Sequence, residues 1–133
     1  MVVSTGWAGT ILRVDLGTGR IDKDPLPKDW ALKYIGGIGF GARVLYDAVG
    51  PEVHAFSPEN VAMIAQGPLS GTLTPASGRC ELIAKSPMTG ILGRSNVGGD
   101  FGPTMRWAGY DLILLKGKSN GPVYLWIEDD HVE

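Results

Sequence analysis

Between Gly67 and Gly102 the chain reads GPLSGTLTPASGRCELIAKSPMTGILGRSNVGGDFG, a stretch that holds eight of its 20 glycines. Segments of this kind join short strands. Glycine also lets successive backbone N–H groups turn toward a bound group with no side chain in the way, and such turns form concavities that attract anions. The stretch carries Arg79, Lys85 and Arg94 against only Glu81 and Asp100. Connecting loops and an anion-binding surface are the two readings that these residues leave open.

With 133 residues, 44% of them hydrophobic, the chain has the material for a single domain over 1–133. A formal charge of -2 without a basic run excludes a nucleic-acid partner, whose phosphates demand clustered Lys and Arg. The longest apolar runs, such as Val61 to Ala65, are far too short to span a bilayer, and the opening residues lack the pattern of a signal peptide. A soluble, cytoplasmic protein is expected. The single cysteine, Cys80, rules out an internal disulfide and any four-thiolate metal or iron–sulfur site built by this chain alone.

Along the chain, alternation over Thr10 to Leu16, the turn Gly17-Thr18-Gly19, and renewed alternation over Arg20 to Asp24 predict an N-terminal hairpin. Pro27 suits the first turn of a helix that Gly36 and Gly37 end, and a second helix is predicted from Phe40 to Val49, stopped by Gly50-Pro51. Gly37-Ile38-Gly39-Phe40-Gly41 is not a dinucleotide fingerprint: the spacing is wrong and a helix precedes it. Val61 to Ala65 reads as a strand buried on both faces. Alternation from Arg79 to Lys85 puts Arg79, Glu81 and Lys85 on one face of a strand and Cys80, Leu82 and Ala84 on the other, which makes Cys80 a core residue. The turn Val97 to Asp100 leads into a short helix from Phe101 to Trp107, with Asp100 as its cap. Residues 111–116 and 122–127 read as a second hairpin, and Glu128 to His131 as the next turn.

No catalytic set can be assembled. His54 and His131 lie in apparent loops, and Asp129, Asp130, His131 and Glu133 read as a solvated turn. Trp7, Trp30, Trp107 and Trp126 are spread out as core or interface anchors. Arg79, Asn96 and the Gly98-Gly99 backbone remain as anion-binding candidates, since arginine's fork of N–H donors matches a phosphate. For Arg79 a salt bridge to Glu81 or Asp100 is the competing assignment, and Arg94 either adds a phosphate contact or faces solvent.

A series of short motifs then falls in fixed order: Gly6-Trp7-Ala8-Gly9, Leu12-Arg13-Val14-Asp15-Leu16, Tyr34-Ile35-Gly36-Gly37, Ser57-Pro58-Glu59-Asn60, Gly67-Pro68-Leu69-Ser70-Gly71-Thr72, Gly78-Arg79, Lys85-Ser86-Pro87, Ser95-Asn96-Val97-Gly98-Gly99, Phe101-Gly102-Pro103 and Ala108-Gly109-Tyr110-Asp111. Together they resemble the N-terminal domain of the aldehyde:ferredoxin oxidoreductases, the tungsten-pterin enzymes. The resemblance implies a cofactor-binding segment of a longer chain. It implies a tungsten bis-pyranopterin, or molybdenum in a substituted case, with Arg79, Asn96 and Gly98 contacting it. The backbone carbonyl of Asn96 would help hold a magnesium ion bridging the pterin phosphates. In the whole enzyme aldehydes would be oxidised to carboxylic acids, with electrons passing through an iron–sulfur cluster, held by residues outside this segment, to ferredoxin or another electron-transfer subunit. The sequence departs from the family pattern at Ile38, where an arginine is common, at Ser77 and Cys80, and at Val97, which replaces a small polar residue.

The expected fold is α+β: a strand-rich platform with a few short helices, its glycine loops on the cofactor face. The alternative is an independent, non-catalytic module that binds a phosphate-containing ligand. An unfinished strand at Val132 also predicts association, including homo-oligomers. Residues 1–133 expressed alone are expected to sediment as a dimer or larger species, whereas a monomer at high concentration would favour the independent module.

Overall fold

The computed structural model describes residues 6–133. Strands β1 (Thr10–Asp15) and β2 (Arg20–Pro25) form the expected antiparallel hairpin, in register from Thr10 opposite Pro25 to Asp15 opposite Arg20. Asp15 organises the turn by accepting from the N–H groups of Gly17 at 3.0 Å and Thr18 at 3.2 Å. These bonds, that of Thr18 first, hold its carboxyl below the usual range.

Helix α1 (Lys28–Tyr34) follows Pro27, and α2 (Ile38–Ala48) buries Phe40, Gly41, Val44 and Leu45 along one stripe. Strands β3 (Val61–Gln66), β4 (Cys80–Lys85) and β5 (Leu92–Val97) come next, then α3 (Phe101–Trp107) and β6 (Leu112–Lys116). Six strands make one mixed sheet in the order β2-β1-β6-β3-β4-β5, in which only β1 and β6 run parallel. Helices α1 and α2 cover one face, over a core that includes Ile11, Phe40, Met63, Ile83 and Leu114. On the other face Met105 of α3 and Tyr110 pack with Leu12, Val14 and Ile113. The α+β, strand-rich class is as expected.

Several local expectations change. The hairpin of 111–116 with 122–127 does not form, because β6 already has β1 on one edge and β3 on the other. The later segment instead makes its own small hairpin, β7 (Ile127–Glu128) with β8 (His131–Val132), extended by two hydrogen bonds between Trp126 and Glu133. β3 is fully enclosed on one face only: Val61, Met63 and Ala65 are buried, while on the other face Ala62 is exposed, Ile64 half-buried and only the terminal Gln66 enclosed. Burial on both faces belongs to β6, whose Leu112, Ile113 and Leu114 are all enclosed. Segment 92–97, to which the sequence patterns assign no element before the turn at Val97, is a full edge strand. Asp100 occupies the N-cap of α3 but its side chain makes no capping bond.

The alternation along β4 holds, yet its polar-looking face is the covered one. Ile83 and Lys85 lie buried with Glu81 half-buried beside them, while Leu82 on the opposite face is 40% exposed. Lys85 tolerates this because its Nζ donates to the carbonyls of Gly50 at 3.0 Å and Pro51 at 2.9 Å, just past the end of α2. Cations are favoured at that end of a helix. Cys80 is a core residue as expected, and burial first, then the charge of Glu81, pushes its thiol up.

Asp111 accepts from the N–H groups of Ala8 at 2.9 Å and Gly9 at 2.6 Å, tying the N-terminal segment to the start of β6. Burial nevertheless raises its carboxyl above 3.8, the two hydrogen bonds opposing that shift. Ionising it therefore costs the folded state, so its contribution to stability declines as pH rises from 3.8 through the folded-state value.

α2 reaches the sheet because position 41 has no side chain. A Cβ on Gly41 would lie 2.7 Å from Cδ1 and 2.9 Å from Cβ of Ile83. Gly41→Ala is expected to cost about 1–3 kcal/mol by overpacking, read from the urea midpoint. Ile83→Val in the same chain should recover part of that loss.

Candidate functional site

The antiparallel pairing of β4 with β5 assembles the residues that the sequence singled out. Cys80 faces Val97, Glu81 faces Asn96 and Ile83 faces Arg94. Directly opposed residues share a face of the sheet, so Glu81, Asn96, Ile83 and Arg94 lie on the α2 side. The same register brings Arg79 and Gly98 together where the two strands end. Beyond that point the chains stay in close approach, since a Cβ on Gly78 would lie 2.7 Å from the carbonyl oxygen of Gly99. Arg79, Asn96 and Gly98, separated in sequence, thus occupy one corner of the sheet, and all three are exposed.

The first turn of α2 roofs this corner. Gly37 donates its N–H to the Gln66 carbonyl at 2.9 Å, and a Cβ there would stand 3.5 Å from Cγ of Glu81. α2 therefore starts above Glu81, with the positive end of its dipole toward the carboxylate. Glu81 Oε1 accepts from Arg94 Nη1 at 3.4 Å, and Oε2 is enclosed without a partner.

That pair bears on the salt bridge weighed for Arg79. Glu81 is engaged by Arg94, Asp100 forms no ion pair, and among the described residues the Arg79 side chain has no partner. The guanidinium is thus exposed and uncommitted beside a glycine with open space around it, since nothing lies within 4 Å of a Cβ at Gly98, and its fork of donors could serve an anion. Among the described residues no group of three or more His, Cys, Asp or Glu could hold a metal ion. A cation here would need oxygens brought by a bound group, the usual arrangement for magnesium with phosphates.

Other features stand apart from this corner. Asp130 pairs with Lys23 at 3.3 Å and His131 approaches Glu133 at 3.8 Å, so that turn holds local pairs. An apolar cavity of about 440 Å³, lined by Ile64, Met105, Ile113, Leu115 and Trp126 among others, lies on the opposite face of the sheet. Sequence reasoning missed the coupling of Glu81 to Arg94. No periodic signal in β5 could have revealed it, since its residues Gly93 to Asn96 show no apolar alternation and the strand is defined by its pairing to β4.

A family model for the N-terminal domain of aldehyde ferredoxin oxidoreductase matches residues 11–133. The chain belongs to that family. Within the aldehyde ferredoxin oxidoreductases, it is 44% identical over 128 residues to the tungsten-containing enzyme of Pyrococcus abyssi, an alignment covering 96% of this chain and 21% of that one. The tungsten-containing enzyme of Thermococcus kodakarensis is 40% identical over 125 residues, covering 94% and 21%. Among solved structures, an active site complex of benzoyl coenzyme A reductase with 1,5-dienoyl-CoA superposes with a TM-score of 0.95 at 40% identity, covering 97% of this chain and 20% of that chain. The chain thus spans about a fifth of the length of the relatives it matches.

Two glycines in the site make opposite demands. Gly98→Ala adds a methyl to open space and is expected to change stability by less than about 0.5 kcal/mol. Gly78→Ala drives a Cβ against the Gly99 carbonyl and is expected to cost about 1–3 kcal/mol. Guanidinium unfolding of both variants checks the contrast.

Proposed function

We propose that this domain is the cofactor platform of a tungsten-dependent aldehyde oxidoreductase, and that Arg79, Asn96 and Gly98 bind the phosphate-bearing end of a bis-pyranopterin. The reading is supported above all by Arg79, exposed and without a counter-ion at the corner where Asn96 and Gly98 meet it. Its guanidinium presents a fork to phosphate oxygens, and the missing side chain at Gly98 lets the ligand approach the backbone. Asn96 would contribute its backbone carbonyl to a magnesium ion that the phosphates also hold, and its side-chain amide would contact the cofactor.

When bound, the tungsten centre, or molybdenum in its place, supplies the two-electron oxidation of an aldehyde and water to a carboxylic acid. The residues of this chain hold and orient the group and do not enter the reaction. Electrons would leave through an iron–sulfur cluster held by other parts of the protein to ferredoxin or another electron-transfer subunit. Such a partnership suits a cytoplasmic enzyme, and association as a homo-oligomer belongs to the same proposal. No described helix is long and apolar enough to cross a membrane. An independent phosphate-binding module would use the same contacts, and metal content separates the two readings.

The full-length protein, grown with tungstate or molybdate, is expected to contain metal and pterin together, and folded, active protein with neither would sink the reading. Arg79→Ala and Asn96→Ala are expected to lose most of the cofactor while remaining folded, as read by far-ultraviolet circular dichroism. A charge-assisted bond of the kind assigned to Arg79 is worth about 1.5–3 kcal/mol. Retention of the full complement by Arg79→Ala would remove it from the site.

A further inference from the structure

We infer that Arg94 is a second anion-contact residue of this corner and that Glu81 is the residue that positions it. The inference rests on the reading of Arg79, Asn96 and Gly98 as the cofactor's phosphate site.

The argument begins with register. Arg94 stands directly opposite Ile83, which is buried beneath α2 and offers no polar atom. Its guanidinium instead reaches Glu81, the residue opposite Asn96, at 3.4 Å. Arg94 therefore leans along β5 toward the Asn96 end of the strand and away from its own row. Successive residues on one face of a strand are about 7 Å apart, so the guanidinium is brought one row nearer to the row that holds Arg79 and Gly98. The two arginines then flank one carboxylate on the same face of the sheet.

The Glu81 contact leaves most of Arg94 free. It is a single, long bond from Nη1, and the arginine side chain is 51% exposed against 17% for Glu81. A guanidinium carries five N–H donors in a fixed fork. One is engaged at the carboxylate, and the others remain available to an anion arriving over Asn96 and Gly98. Glu81 is suited to the fixed end of the pair, because it is held under the first turn of α2 by burial, with Oε2 enclosed. A half-exposed ion pair by itself contributes about 0–1 kcal/mol to folding, so a purely structural role for Arg94 predicts little effect of its removal on anything but stability. Two forks on adjacent rows suit a ligand bearing more than one anionic oxygen, such as a phosphate ester held by both arginines.

The test uses the full-length, cofactor-loaded protein and follows the first-order loss of tungsten and pterin during gel filtration in buffers of increasing inorganic phosphate. Arg94→Ala is expected to lose both about tenfold faster than the wild type at low phosphate, the change that about 1.4 kcal/mol of lost binding produces. Arg94→Lys, which keeps the charge without the fork, should fall between them. Glu81→Gln should accelerate loss in the same direction but less, since the guanidinium remains and only its placement is relaxed. The Arg94 variants change an exposed side chain and Glu81→Gln keeps the shape of a covered one, so all three are expected to remain folded by far-ultraviolet circular dichroism, and Arg79→Ala serves as the reference. A wild-type rate for Arg94→Ala, alongside rapid loss from Arg79→Ala, would overturn the assignment of Arg94 and leave the site standing. A wild-type rate for Glu81→Gln, with Arg94→Ala fast, would overturn the positioning role. A wild-type rate for Arg79→Ala would overturn the site itself and this inference with it.

Discussion

The parallel pairing of β1 with β6 is the contact on which the rest of the sheet depends. It sets Ile11 beside Leu112 and Asp15 beside Lys116, joining the beginning of the described chain to its last third. Parallel strands cannot be linked by a tight turn. Both helices of the covered face, the strands β3 to β5 and α3 therefore lie within one long crossover between β1 and β6. Asp111 fixes the start of that pairing by holding the N–H groups of Ala8 and Gly9, at the expense of burying a carboxyl. Closing so long a connection carries a loop entropy that only the finished sheet offsets, which places this fold among those rich in non-local contacts.

From β6 outward the sheet loses cover. β6 is enclosed on both faces, β3 on one, and β5 has no buried residue at all. The candidate site sits at this uncovered edge, where β5 has a single strand neighbour and glycine loops surround the strand ends. Rigidity and access are thereby separated. The centre of the sheet fixes the register of β4, β4 fixes that of β5, and the exposed residues of both inherit precise relative positions from a core they do not touch.

This gradient also explains what was legible in the sequence. The first hairpin, α1, α2 and β6 announce themselves by alternation, by a helical stripe and by a continuous apolar run, because those patterns are written by burial. β5 carries Gly93, Arg94, Ser95 and Asn96, and its half-exposed ends leave no apolar face to betray a strand. It forms through backbone pairing to β4, an interaction that composition does not record. The expected second hairpin failed for a related reason: two strand-like runs flanked a good turn, yet which edge a strand pairs with is settled by the whole sheet. On β4 the alternation was read correctly and its polarity inverted, since Lys85 is buried with its charge delivered to two carbonyls. Arg79, Asn96 and Gly98 were found through family resemblance, and only the strand register brings them to one corner.

The charged groups divide by task along the same line. The acids and the thiol whose protonation the fold shifts are Asp15 in a turn, Asp111 at the β1–β6 junction and Cys80 with its thiol in the core, each serving the architecture. At the corner of β4 and β5 the chemistry is of a different kind: guanidinium and amide donors, an open glycine, and a carboxylate committed to an arginine. Groups of that sort hold an anion in place without exchanging protons with it. The proposed role as a platform draws on this division: the titratable residues that the fold perturbs serve the closing of the sheet, and fixed donors stand at the β5 edge, where a ligand could be oriented without reacting with them.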